Sequence, residues 1–209
     1  MRRPVYLSTL ANTGWFAYVP PAVVAVILPA LLLAVGAVGL QQLTMVFVEK
    51  CSTFLIPGLA AWWPAFACKE RIEGEGRELL YFLRRGGAGV ELLAMSLTYV
   101  ALTVPFIAVS AGDGWITFGS ALVLGSRCLF VATLTFCAAY LLSSSALALV
   151  IALLFSMVAM VPLEAAVTSF VAKGEAAVSA GAAAEIIAGY CVVAGLLLAV
   201  GSLRSRRFE

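Results

Sequence analysis

Unbroken apolar length narrows the possible folds of this chain more than any other feature. Six stretches, residues 19–40, 51–68, 90–111, 122–142, 146–163 and 186–203, are almost free of charged side chains. A bilayer core about 30 Å thick is crossed by about 20 helical residues, and every stretch is close to that size. Runs such as Val23–Val35 (VVAVILPALLLAV) do not alternate, whereas a membrane β-barrel needs segments of about ten residues alternating apolar and polar. The expected fold is an all-α integral membrane protein, a single transmembrane domain of six helices spanning residues 1–209. These expectations rest on length rather than helical period, because a helix in lipid can be apolar all round.

Composition decides between bilayer and water. The chain is 63% hydrophobic and 11% charged, with a mean hydropathy of +1.07. Soluble domains average about 45–50% apolar and about 25% charged residues, so these residues could not cover such a core in water. Met1-Arg2-Arg3 is followed by an apolar run reaching Leu40, longer than the roughly 7–15 residues of a signal-peptide core. A retained first helix is expected.

Basic residues give the orientation. With six spans, the N-terminus, the loops after the second and fourth helices and the C-terminus share one side. That side holds Arg2, Arg3, Lys69, Arg71, Arg77, Arg84, Arg85, Arg204, Arg206 and Arg207, ten of the thirteen basic residues. The expectation is a multi-pass protein of the cell membrane with both termini cytoplasmic.

The residue inventory removes several chemistries. Histidine is absent, which excludes His-ligated haem, HExxH zinc sites and Ser-His or Cys-His nucleophiles. Cys51, Cys68, Cys128, Cys137 and Cys191 lie in or beside apolar runs without CxxC spacing and are expected as reduced thiols. The net charge of +2, with no basic stripe, gives no reason to expect nucleic acid. Gly86-Gly87-Ala88-Gly89 is not followed by the Lys-Ser/Thr of a phosphate loop. No catalytic residue, cofactor or metal ligand is expected, and any ATP hydrolysis would belong to a separate subunit.

Polar sequence is concentrated in one cytoplasmic loop, residues 69–87 (KERIEGEGRELLYFLRRGG). Gly74 and Gly76 loosen its start and Gly86-Gly87 supply a helix stop, so Glu75–Arg85 is predicted to form a short helix. At 100° per residue Leu79, Leu80, Phe82 and Leu83 share one face, and Arg77, Glu78, Tyr81, Arg84 and Arg85 the other. Acids lead and bases trail, as the helix dipole favours. Such an amphipathic helix either anchors the loop at the membrane surface or offers its charged face to a cytosolic partner.

The loop resembles the cytoplasmic loop of ABC-2-type transporter permeases. The shared pattern is Glu70, Arg71 and Gly74, then Glu78, Leu79 and Leu80; the serine-rich LLSSSALA at Leu141–Ala148 is similar to that family's turn between its fourth and fifth helices. The resemblance implies that the loop is a coupling helix between the second and third helices, docking on a cytosolic ABC ATPase. It also implies a second permease copy or paralogue in the assembly and an export function. The docking residues it implies are Glu70, Arg71, Glu75, Arg77, Glu78, Tyr81, Arg84 and Arg85. The rival reading is a self-contained channel, secondary carrier or membrane assembly factor.

Four ionisable residues lie in or beside apolar runs: Glu91, Arg127, Glu164 and Glu185. Each is expected to snorkel to the headgroups, Arg127 with the least ease. Pro29, Pro57 and Pro105 fall within helices and are expected as kinks. Trp15, Trp62, Trp63 and Trp115 are expected in the interfacial aromatic belt, and residues 165–184 form an Ala-rich external segment.

Overall fold

The computed structural model describes residues 14–74, 88–158 and 180–205, and every regular element among them is helical. We number the helices α1 (Gly14–Ala37), α2 (Gln41–Ile72), α3 (Ala88–Gly112), α4 (Phe118–Leu142), α5 (Ser145–Val158) and α6 (Ala180–Ser205). Five of them, all but α5, are long and apolar enough to cross a membrane. The described part of the chain is therefore all-α, with the helical content of a multi-pass membrane protein.

Several boundaries differ from expectation. α1 begins at Gly14 rather than residue 19 and ends before a turn in which Gly39 takes a left-handed φ of 76°. α2 begins at Gln41, ten residues before residue 51, because QQLTMVFVEK is too polar for an apolar window yet continues the helix. Residues 180–184 belong to α6 rather than to an external segment. α4 starts where Thr117 and Ser120 form a reciprocal capping box, and ends where Ser143 turns left-handed at φ 53°.

Contacts between helices fix their directions. The Tyr99 hydroxyl donates to the Ile56 carbonyl at 2.6 Å, setting α3 on α2. Phe130 packs on Tyr190, and a Cβ placed on Gly201 would stand 2.6 Å from Phe136 Cδ1, so α4 and α6 run parallel and in close contact. α5 runs back along α4, with Ala148 grouped with Tyr140 and Phe155 against Phe130. Cys68, Ile72, Ala88, Leu92, Tyr140, Ala148 and Leu198 gather at one end of the bundle, here called the loop end. α4 is the pillar: 61% of its most apolar stretch is buried, against 11% for α6.

The prolines act as backbone devices. Proline has no N–H, and its ring crowds the carbonyl four residues back. The turns preceding Pro29 and Pro57 widen to π-helix at Ala22–Ile27 and Cys51–Leu55, a response typical of single turns under such strain. Before Pro105 the helix breaks at Thr103, whose N–H and hydroxyl both donate to the Val100 carbonyl at 3.1 and 2.7 Å. The segment Val104–Gly112 packs on the π turn of α1, so the irregular stretches of α1 and α3 adjoin.

Pro20-Pro21 has a partner that the sequence reading placed elsewhere. With both prolines lacking N–H, the Ala17 carbonyl has no donor at either the third or the fourth following residue, and Phe16 loses its fourth. Trp63 Nε1 donates to the Ala17 carbonyl and Trp62 Nε1 to the Phe16 carbonyl, each at 2.9 Å. Trp63 is 5% exposed, so it belongs to the core and not to an interfacial belt. Its indole supplies the donor that proline removed.

Replacing Trp63 with Phe should lower stability by about 1–2 kcal/mol, the cost of leaving a buried carbonyl unmet. Adding Pro21→Ala should return at least half of that loss, measured as the thermal midpoint in detergent. Failure of the second substitution to rescue the first would contradict this pairing.

Candidate functional site

The candidate site lies at the loop end, where α2 and α3 flank residues 75–87. Of the expected docking residues, Glu70 and Arg71 fall within the described structure. Glu75, Arg77, Glu78, Tyr81, Arg84 and Arg85 lie outside the described residues, as does Glu164.

Arg71 turns into the bundle. Its guanidinium donates to Glu91 Oε2 across the α2–α3 gap, with side-chain exposures of 13% and 18%. Glu91 therefore does not reach for the headgroups, because an arginine on the neighbouring helix meets it first. The pair lines a narrow cleft together with Cys68, Met95 and, from α4, Tyr140. Tyr140 is fully buried, its phenol beside Arg71 and its ring edge-on to Phe136 at 5.0 Å.

A second tether leaves from the residue closing α2. Glu73 Oε1 accepts from the Ser145 N–H at 2.8 Å and from the Ser145 hydroxyl at 3.1 Å. A carboxylate there answers the unpaired amides and positive dipole of the α5 N-terminus. The left-handed Ser143 turns the chain sharply enough to present those amides to Glu73. The segment entering residues 75–87 is thus tied to the α4–α5 turn, and the helix leaving it is tied to α2.

Both tethers escaped the sequence reading. Opposite charges on two helices joined by one loop were a usable signal for Arg71 and Glu91. Nothing local to Glu73 points at Ser145, 72 positions away.

The other candidates are placed as follows. Glu185 is exposed on α6. Arg127 is half-buried on α4, and its Nε is buried with no hydrogen-bond partner among the described residues. All five cysteines are free thiols, four buried and Cys191 exposed. No protein-family model, curated protein or solved structure matches the chain.

Truncating Arg71 to Ala should cost about 2–3 kcal/mol, somewhat under the loss for a fully buried pair because both side chains keep some exposure. The exchange Arg71→Glu with Glu91→Arg should recover most of it, read as detergent unfolding midpoints. Equal losses in the single and the exchanged variants would contradict a specific pair.

Proposed function

We propose that this chain is the transmembrane permease subunit of an ATP-driven ABC transporter, an exporter, coupled to a separate cytosolic ATPase through residues 69–87. The observation that carries the reading is the pair of tethers on either side of that loop. A loop that transmits force must be anchored to the helices it moves. Glu73 ties its start to α5, and Arg71 and Glu91 tie the helices on either side of it together. The resemblance of Glu70, Arg71, Gly74, Glu78, Leu79 and Leu80 to the ABC-2-type loop supplies the identity of the partner.

The six-span layout draws support from helix directions. α4 and α6 run parallel, so the chain between them must return to the far end. α5 covers the first part of that return, reaching the level of Phe130. With six spans, residues 75–87, the α4–α5 turn and the C-terminus would share one side, the side to which the basic residues point as cytoplasmic. Two bundles, from a second copy or a paralogue, would enclose the transport path.

In this mechanism ATP binding closes the ATPase dimer and displaces the segment Glu75–Arg85, expected from its sequence as an amphipathic helix. The tethers pass that displacement to α2, α3 and α5, while the α4–α6 pair, packed closely at Gly201, holds its form. The bundles then rock between inward-open and outward-open states. A secondary carrier would place its charges near the midplane, at the binding site. Arg71 and Glu91 instead lie at helix ends, which suits a coupling role for that pair.

Reversing both Arg84 and Arg85 to Glu should leave ATP hydrolysis measurable but cut transport per ATP at least about fivefold, since like-charge contact at a docking face costs several kcal/mol. Normal coupling in that variant would overturn the docking role.

A further inference from the structure

Arg127 stands on α4 about 13 Å along the axis from Phe118, at about 1.5 Å rise per residue. α4 thus carries a guanidinium well below its far end. A charge at that depth is costly and marks a site by default. Arg71 shows how this bundle treats a buried guanidinium, giving it Glu91. Among the described residues nothing accepts from Arg127 Nε, although that atom is out of reach of solvent.

The ground beneath Arg127 is aromatic. Phe130 lies three residues on, on the same side of the helix. Its ring packs on Phe155 of α5 at 5.4 Å and on Tyr190 of α6 at 5.5 Å. Val131 and Ala152 close the layer behind the rings. Phe130 itself is buried, so the part of this layer open to a ligand is the edge formed by Phe155, 39% exposed, and the partly exposed Tyr190, one turn below Arg127. Leu154 and Met157 face outward on α5, 55% and 61% exposed, so the exposed surface beside the rings is apolar as well.

We propose that Arg127 and the open edge of Phe155 and Tyr190, backed by Phe130, bind an anionic amphiphile, its head on the guanidinium and its apolar body along that edge. A small inorganic anion would leave the edge unused. A neutral apolar molecule would leave Arg127 Nε without an acceptor. The head can come from a bilayer phospholipid or from a free amphiphile such as a fatty acid, which share the chemistry of one compact anion on a chain. The site stands whether or not an ATPase couples to this chain.

The test is binding of a dansyl-labelled medium-chain fatty acid, and of its methyl ester, to the purified full chain in nanodiscs of phosphatidylcholine alone. The wild type should prefer the acid by about tenfold, equivalent to about 1.4 kcal/mol. Arg127→Gln should abolish the preference and Arg127→Lys should keep part of it. Phe155→Ala should weaken acid and ester alike while the preference persists, which separates the ring edge from the guanidinium. Equal binding of acid and ester by the wild type, or an undiminished preference in Arg127→Gln, would overturn the proposal. Repeating the titration with phosphatidylglycerol in the nanodisc identifies the source. Competition assigns the site to bilayer lipid, and unchanged fatty-acid binding assigns it to a free amphiphile.

Discussion

A carbonyl deprived of its donor inside lipid has no water to turn to, and much of this structure follows from that constraint. The chain places prolines in three successive helices and then meets the consequences one by one. Trp62 and Trp63 supply donors to carbonyls that Pro20 and Pro21 leave short. Thr103 folds its hydroxyl back on Val100 ahead of Pro105. Ahead of Pro29 and Pro57 the helix widens by one residue per turn. In a bilayer, where lipid tails compete with side chains for apolar contact, packing and such hydrogen bonds specify the bundle more than burial does.

The constraint divides the molecule. The first three helices carry every proline within the described helices, whereas α4, α6 and the described part of α5 have none. α4 and α6 approach until Gly201 meets Phe136 with no room for a side chain, and α4 is the most buried of the crossing helices. A closely packed, proline-free pair beside three helices with built-in irregular turns would suit the rocking bundle proposed above. Bending then concentrates where the hydrogen-bond ladder is already altered.

The crossing helices were legible because unbroken apolar length is a direct record of bilayer thickness. The polar first turns of α2, from Gln41 to Lys50, were hidden because apolar windows cannot see a helix that extends beyond the hydrocarbon. The irregular turns were readable from Pro29, Pro57 and Pro105, though not their form. Tandem Pro20-Pro21 and tandem Trp62-Trp63 were both in plain view, and their match was not, because only the antiparallel packing of α1 on α2 sets the registers level. Glu91 looked like a headgroup-seeking charge for the same reason, until the meeting of helix ends paired it with Arg71. Pairwise facts of this kind depend on tertiary register, which a single sequence does not encode locally.

Isolation of the tagged chain from its native membranes in mild detergent, with identification of the proteins that come with it, tests the account most directly. The account predicts an ATP-binding subunit at near-equal stoichiometry, lost when residues 75–87 are replaced by a Gly/Ser linker. Recovery of the chain alone across several detergents would contradict the coupled permease and leave a self-contained channel or carrier in its place.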